Sequence, residues 1–328
     1  MDPWDLSLIT RQLPWRKNIT VINFSRLLPH WNDLSSFHWR GTAVIDTCLD
    51  PWYVPPELDE IWQGRDYWVL NNESQHCRPR HVYVPLWFWQ YQQHWRDHAR
   101  LPVVPEREYL ASSLNRFPRL HRYYTVREIM RRPWRHRSLL SLERLDWDPY
   151  NQCEIKIGRR AVDHVLWHDL AEWCAQQSLP LRDYPEPSRS DFNDHSLEHP
   201  AYWNTACNII TETSMDSSGF ITEKTAKALA AGQLWCMVSG TDTVGQLRNL
   251  GFDVMDEIWQ QHRYLHHEQW YSRIDAMMPV LDSVIDNVRD IWHSTQRARQ
   301  HNQSWLFGSE LLNRVFAPLH DRELLTRP

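Results

Sequence analysis

The chain has 328 residues, of which 42% are hydrophobic and 23% charged, and its formal net charge is −5 at pH 7. This composition is typical of a globular protein, and the length suffices for two packed halves. The negative net charge argues against a general electrostatic field for holding nucleic acid. The sequence is still compatible with a local basic groove, because arginines cluster between residues 116 and 144.

The sequence contains no pattern for export or membrane insertion. The amino-terminal stretch "MDPWDLSLITRQLPW" is acidic from its second residue and has no apolar core, so it does not predict a signal peptide. No stretch approaches the about 18 continuous apolar residues of a spanning helix. Six cysteines without a CxxC pair favour free thiols in a reducing compartment over a disulfide framework. We therefore expect a cytoplasmic protein, or one of the host cytoplasm if a phage encodes it.

The first half of the chain contains short apolar runs alternating with helical patterns, which favours an α/β class. Strand candidates lie at residues 18–24, 42–48, 67–72 and 81–87. The proline-bearing stretch "RLPVVPERE" (100–108) then predicts a linker. We expect an amino-terminal domain over residues 1–105.

The second half predicts a further run of strands and helices. "YLASSLNR" (109–116) is a strand candidate that leads through a loop into an arginine-rich helix. Later, "ACNIITETS" and "LWCMVSG" predict strands, while "TEKTAKALAAG" and "TVGQLRNLGF" predict the helices that follow them. From Asp256 onward the pattern is helical. We expect a second domain over residues 106–275, and carboxy-terminal helices over 276–328 that pack back on the first domain.

One helix start has an unusual charge. Thr222 is a candidate N-cap, so Lys224 falls in the first turn, where a cation is unfavourable by about 0.3–1 kcal/mol. A diphosphate bound there would supply the missing negative charge, and Glu223 could accept hydrogen bonds from ribose hydroxyls. Glu212 ends the preceding strand at the same edge. The alternative is an ordinary solvated helix start, and the charge pattern alone leaves both open.

The stretch "TETSMDSSGFITEKTAKALAAGQLWCMVSG" resembles the nucleotide-sugar-binding segment of glycosyltransferases related to the α1,3-fucosyltransferases. That segment has an E-x-S strand end, a T-E-K helix start and an apolar strand. The resemblance implies that Glu223 binds the donor's ribose and Lys224 its phosphate, with Thr222 opening the helix and Glu212 in the first glutamate position.

Further stretches resemble phage and viral glycosyltransferase-like proteins: "SSLNRFPRLHR", "LRNLGFDV", "SRIDAMM" and "RQHNQSWLF". The resemblance implies a GT-B fold, with two Rossmann-like domains facing a cleft. Residues 1–105 would then form the acceptor-side domain and residues 106–275 the nucleotide-sugar-binding domain. It also implies that basic residues of the first stretch face the donor phosphates: Arg116, Arg119, His121 and Arg122. The chain departs from the pattern at Ser272, where glutamate is usual, and at Gln233–Leu234, where a small residue and proline are usual. The donor sugar therefore stays open.

A GT-B enzyme needs no metal ion, because basic groups stabilise the leaving nucleoside diphosphate. For an inverting reaction, a carboxylate must take the acceptor's proton; the candidates are Asp46 and Glu73, each at a predicted strand end and each equally open to a structural role. The rival motif Asp146-Trp147-Asp148 has the D-x-D spacing of metal-dependent enzymes. A turn before Pro149 is the simpler explanation, so we expect no metal cofactor.

The sequence thus predicts a hexosyl- or pentosyltransferase that uses a nucleotide-sugar. UDP is the expected nucleotide, because it is a common sugar carrier. The expected acceptor is a hydroxymethylated pyrimidine in phage-type DNA; the alternative acceptor is a bacterial surface glycan. A non-catalytic sugar- or DNA-binding protein, or a structural phage protein, would be a different class. The 20 tryptophans suit either a core of large rings or a groove for stacking sugars or bases. The oligomeric state stays open.

Overall fold

A computed structural model of the chain describes residues 13–23, 39–46, 58–71, 80–95, 107–115, 119–142, 164–183, 197, 199–213, 215 and 220–326. It is a mixed α/β structure with two sheets whose strands are parallel, apart from one short strand. The α/β class predicted from the sequence is therefore confirmed. Contacts divide the chain into two compact units, one comprising Met1–His94 with Gly308–Pro328 and the other Trp95–Phe307. The domain boundaries expected at residues 105 and 275 stay predictions.

The first unit contains a parallel sheet with the strand order β1-β2-β3-β4 in the described part of the chain. Its strands are β1 (Ile19–Asn23), β2 (Thr42–Asp46), β3 (Tyr67–Asn71) and β4 (His81–Tyr83). Its helices are α1 (Leu58–Ile61), α2 (Leu86–Trp95, whose last residue belongs to the second unit) and, from the chain's end, Ser309–Asp321. A cluster of buried rings, Trp62 against Tyr67 and Trp39, packs beside the sheet. These tryptophans serve as core, one of the two roles considered for them.

The fourth strand is shorter than predicted. The apolar run 81–87 forms a strand only to Tyr83, and α2 begins at Leu86. Pro85 stands directly before this helix, where its missing N–H and fixed φ suit the start of a helix. A short apolar run does not by itself separate a buried strand from a buried helix, and here it spans the junction of the two.

The second unit contains a sheet with the strand order β7-β6-β5-β8-β9 among its described residues. The strands are β5 (Tyr109–Asn115), β6 (Ser138–Leu142), β7 (Leu181–Arg182), β8 (Thr205–Thr211) and β9 (Leu234–Val238). All pair in parallel except β7, which is antiparallel to β6. Strands β8 and β9 are buried along their whole length, as expected for a parallel sheet covered by helices.

The remaining helices of the described chain come after β5 in the sequence. They are α3 (Leu120–Met130), α4 (His164–Gln176), α5 (Pro200–Asn204), α6 (Glu223–Ala230), α7 (Thr243–Asn249), α8 (Asp256–Trp259), α9 (Trp270–Asp286), α10 (Val288–Ser294), α11 (Gln296–Leu306) and α12 (Ser309–Asp321). Short 3₁₀ turns lie at Pro133–Arg137 and Gln261–Arg263. The helical pattern predicted after Asp256 is confirmed.

The strand order reverses direction between β5 and β8. From β5 the chain passes through α3 to β6 on one side, while β8 lies on the other side of β5. In open α/β sheets such a point leaves a crevice at the carboxyl ends of the strands, and ligands bind there. The second sheet therefore has a topological switch point flanked by the residues that follow β5 and β8.

Helix α6 is held firmly at its carboxyl end. Its last carbonyls receive hydrogen bonds from Gln303 Nε2 to Ala230 O (2.7 Å), from Arg107 Nη2 to Ala231 O (3.0 Å) and from Arg299 Nη1 to Gly232 O (2.9 Å). Cationic donors are favourable here because the carboxyl end of a helix carries partial negative charge. Burial lowers the pKa of both guanidinium groups to about 10. These contacts satisfy the carbonyls at the carboxyl end of the helix.

Two of the stretches quoted for the resemblance contact each other. In "RQHNQSWLF", Asn302 accepts from Asp253 N (2.7 Å) and donates to Asp253 O (2.8 Å), while Trp305 Nε1 donates to Leu250 O (2.8 Å). Gly251, at φ +99, lies so close to Trp305 that an added Cβ would be 2.6 Å from its ring. The stretch "RQHNQSWLF" therefore stabilises the turn of "LRNLGFDV" that follows α7.

Candidate functional site

The carboxyl ends of β5 and β8 meet in a buried polar network. Asn115 ends β5, and its Oδ1 accepts a hydrogen bond from the Thr211 hydroxyl at the end of β8. The Asn115 N–H donates to Ser141 Oγ of the neighbouring β6 at 2.9 Å. Asn115 and Thr211 are each 1% exposed. The hydrogen bonds keep this edge of the sheet polar without leaving those groups unsatisfied.

Glu212 connects β8 to the start of α6. Its side chain is fully buried and accepts from Thr222 N–H (3.1 Å), Thr222 Oγ1 (2.6 Å) and Thr225 Oγ1 (2.6 Å). Its own N–H donates to Val238 O of β9 at 3.0 Å. Glu212 thus sets the position of the helix start against the ends of β8 and β9, a role that the charge pattern alone did not reveal.

The first turn of α6 has the N-cap predicted from the sequence. Thr222 is the N-cap, and its hydroxyl accepts from Lys224 N–H at 3.4 Å. Lys224 Nζ lies 3.0 Å from Glu223 Oε1, and their side chains are 18% and 21% exposed. Burial raises the pKa of the Glu223 carboxyl, but Lys224 and Lys227 lower it by more, to about 2. At neutral pH this is an ionised pair that solvent can reach.

Three basic side chains at the start of α3 bond to backbone carbonyls of the last residue of β8 and of the two residues after it. Arg119, the N-cap residue of α3, donates to Thr213 O at 2.6 Å, and His121 Nε2 donates to Glu212 O at 2.8 Å. Arg122 Nη2 reaches Thr211 O at 3.5 Å, the long end of the hydrogen-bond range. The two helix starts, α3 and α6, therefore meet across the switch point.

The charges of this group act on one another. Burial and, second, Arg119 lower the pKa of the Arg122 guanidinium to about 9, while Glu223 and Glu212 oppose the decrease. Burial also holds the pKa of His121 well below its ordinary value, and Arg122, Arg119 and Lys224 add to that effect. Lys224 and the α3 arginines therefore form one electropositive group around a neutral imidazole.

The lowered pKa of His121 predicts a loss of stability on acidification. Below about pH 6.5, the ordinary pKa of histidine, His121 binds a proton in the unfolded state but stays neutral in the folded state. Stability therefore falls as pH falls, by up to about 1.4 kcal/mol per pH unit for one proton. Urea unfolding between about pH 7.5 and 5.5 should show a steeper loss in wild type than in His121→Gln, which keeps a donor for Glu212 O.

Other groups need to be separated from this effect. His199, whose pKa burial and then Lys227 lower to about 4, adds a similar loss below pH 6.5 in both proteins, so it cancels in the comparison. The lowered pKa of Glu223 acts only as pH falls from 4.5 towards 2. Equal slopes for wild type and His121→Gln would contradict the assignment.

The structure brings together most of the predicted donor-binding residues at one edge of the second sheet: Glu212, Thr222, Glu223, Lys224, Arg119, His121 and Arg122. Their roles toward a donor stay predictions. Arg116 lies outside the described residues, as do Glu73 and the Asp146–Asp148 motif. Asp46 ends β2 in the first unit, and its side chain is likewise outside the described part.

Sequence reasoning missed Arg273 as part of this edge. Arg273 lies in the first turns of α9, is 6% exposed, and donates from Nη1 to Ser239 O (2.8 Å) and from Nη2 to Met215 O (3.0 Å). It belongs to the "SRIDAMM" stretch, which was quoted for the resemblance without a role. No local signal predicts a contact across the 58 residues to Met215.

Together these features define a class: an α/β protein with two parallel-sheet units, one of which has a group of basic and polar side chains at its switch point. Comparison with protein-family models, curated proteins and solved structures finds no match for this chain. None of the described helices is long and apolar enough to cross a membrane. Within the described residues, no group of three or more His, Cys, Asp or Glu side chains is placed to hold a metal ion. Cys174, Cys207 and Cys236 are free thiols.

Proposed function

We propose that this chain is a GT-B glycosyltransferase that moves a sugar from a nucleotide-sugar to a hydroxyl acceptor. The observation that supports it best is the meeting of two helix starts at the switch point. One brings the Glu223–Lys224 pair, and the other brings Arg119, His121 and Arg122. Basic groups and a helix start at the carboxyl edge of such a sheet suit a ligand with a diphosphate.

The proposed chemistry follows from these groups. Lys224 exchanges its bond to Glu223 for a phosphate oxygen and, with the positive field of Arg119 and Arg122, stabilises the nucleoside diphosphate as it leaves. Glu223, ionised at neutral pH, accepts from the ribose hydroxyls. Because the cations neutralise the leaving group, the proposed reaction uses no metal ion.

The acceptor that we propose is a hydroxymethylated pyrimidine in phage-type DNA, on the strength of the resemblance to phage glycosyltransferase-like proteins. The base would leave the stack to reach an enzyme pocket. Asp46 or Glu73 is the proposed base that takes the proton of the acceptor hydroxyl as the sugar is transferred. A UDP-sugar is the proposed donor, and a bacterial surface glycan is the alternative acceptor.

A thermal-shift screen of the full chain against UDP, GDP, CDP, ADP and their common sugar conjugates tests the donor site. A nucleotide at 100 times its dissociation constant adds about 2.7 kcal/mol of stability, which gives a clear shift. We expect one nucleotide family to stabilise the protein. If none does, the glycosyltransferase proposal fails.

A transfer assay then tests the reaction. The nucleotide-sugar with the largest shift is incubated with hydroxymethylated DNA, with unmodified DNA and with a surface glycan extract, each with and without EDTA. We expect transfer to hydroxymethylated DNA alone, and undiminished activity in EDTA. Nucleotide binding without transfer to any hydroxyl acceptor would indicate a non-catalytic binding protein.

A further inference from the structure

The geometry points to Arg273 as a positioning residue for the donor site, an inference that rests on the proposed function. Arg273 joins two pieces of backbone at the carboxyl edge of the second sheet. Ser239 lies one residue beyond β9, and Met215 lies in the connection from β8 to α6. One guanidinium group therefore ties α9 to both connections beside the start of α6.

Three described residues of the connection after β8 have carbonyls that accept hydrogen bonds from basic side chains. His121 and Arg119 bond to the carbonyls of Glu212 and Thr213, and Arg273 bonds to that of Met215. Arg273 differs from the other two because it comes from α9 rather than α3, so it holds the connection from a separate element. Without Arg273, the carbonyl of Met215 loses its bond to α9.

The same connection leads directly to the groups that would bind the donor. Glu212 begins it, and Thr222, which donates twice to Glu212, ends it at the first turn of α6. Releasing Met215 and Ser239 would let the first turn, with Glu223 and Lys224, adopt other positions relative to α3. If only a fraction of molecules keeps the binding arrangement, the apparent dissociation constant rises by the inverse of that fraction.

Arg299 provides a matched control, because it separates a positioning role of Arg273 from a merely structural one. It is also 6% exposed, and its guanidinium likewise donates to two backbone carbonyls, Gly232 O at 2.9 Å and Trp292 O at 2.6 Å. These carbonyls lie at the opposite end of α6 and in α10, away from the carboxyl edge of the sheet. Loss of either arginine removes a buried guanidinium with two backbone contacts, but only Arg273 touches the connections beside the proposed site.

The test uses the full chain as wild type, Arg273→Ala, Arg273→Lys and Arg299→Ala. Calorimetric titration with UDP and with GDP measures affinity at a temperature where each variant stays folded. Hydrogen exchange measures protection of the first turn of α6. Arg273→Ala is then titrated again in dilute guanidinium chloride, with sodium chloride at the same concentration as the control.

We expect Arg273→Ala to raise the dissociation constant about tenfold, with faster exchange at the start of α6. Guanidinium, but not sodium, should restore part of the affinity, and Arg273→Lys should give an intermediate value because lysine carries one ammonium group instead of a fork. Arg299→Ala should lower the melting temperature comparably while its dissociation constant stays within about twofold of wild type.

The outcomes separate this inference from the proposed function. If wild type binds a nucleotide and the two alanine variants bind it equally well, with equal exchange at α6, Arg273 has no positioning role and the proposed function stands. If wild type binds neither UDP nor GDP and also fails with the other nucleotides of the thermal-shift screen, the proposed function fails and the inference fails with it. If the Arg273→Ala protein does not fold, the dissociation constants of Arg273→Lys and wild type are compared instead, and their ratio decides whether Arg273 has a positioning role.

Discussion

Replacing Lys224 with methionine is expected to weaken binding of the stabilising nucleotide about 10- to 100-fold, or ~1.4–2.7 kcal/mol. The methionine keeps an apolar stem but cannot donate to a phosphate oxygen. The fold should hardly change, because Lys224 pairs only with a partly exposed neighbour and sits at the unfavourable end of the helix dipole. Calorimetric titration gives the affinity, and urea unfolding gives the stability.

Two variants control this experiment. Lys224→Arg keeps a cation at the helix start and should retain most of the affinity. Arg297→Met removes the same unit of charge from an exposed position on α11 and should leave affinity unchanged. If Lys224→Met binds nucleotide as tightly as Arg297→Met does, Lys224 is an ordinary surface charge and the donor site is wrongly placed.

Replacing Glu212 with alanine is expected to cost about 3–5 kcal/mol of unfolding free energy. The substitution leaves three donors of Thr222 and Thr225 without their buried acceptor, and it removes a carboxylate that offsets the positive charge of Arg122. Urea unfolding followed by circular dichroism measures the effect, which should appear in the transition of the second unit.

Glu212→Gln is the matched variant for this prediction. It keeps the volume and one acceptor oxygen, and its amide can donate to the Thr222 hydroxyl in reversed sense, so the loss should be clearly smaller than for alanine. A Glu212→Ala protein within about 1 kcal/mol of wild type would show that water replaces the carboxylate at this edge. The anchoring role of Glu212 would then be wrong.

Local signals in the sequence predicted the parts of the site that depend on neighbouring residues. Apolar runs located β1, β2, β3, β5, β8 and β9, but β6, an inner strand of the second sheet, was not predicted. The threonine before an alanine-rich stretch located the start of α6 at Glu223. Strand β4 was predicted too long, because the apolar run continues into α2 and periodicity does not mark where one element becomes the other. Caps and periodicity act over a few residues, so they locate elements better than their limits.

The pairing of β5 with both β6 and β8, and hence the switch point, was decided only by the tertiary structure. The resemblance implied that Glu212, Lys224 and the arginines after β5 belong to one site, but not that Arg119 and His121 donate hydrogen bonds to the carbonyls after β8. Arg273 gave no local signal, because its partners lie 34 and 58 residues away. By itself the sequence determined the elements and the charges at their ends, since these depend on near neighbours. Which charges meet depends on how the strands pair and how the helices pack, and those contacts join residues far apart in the chain.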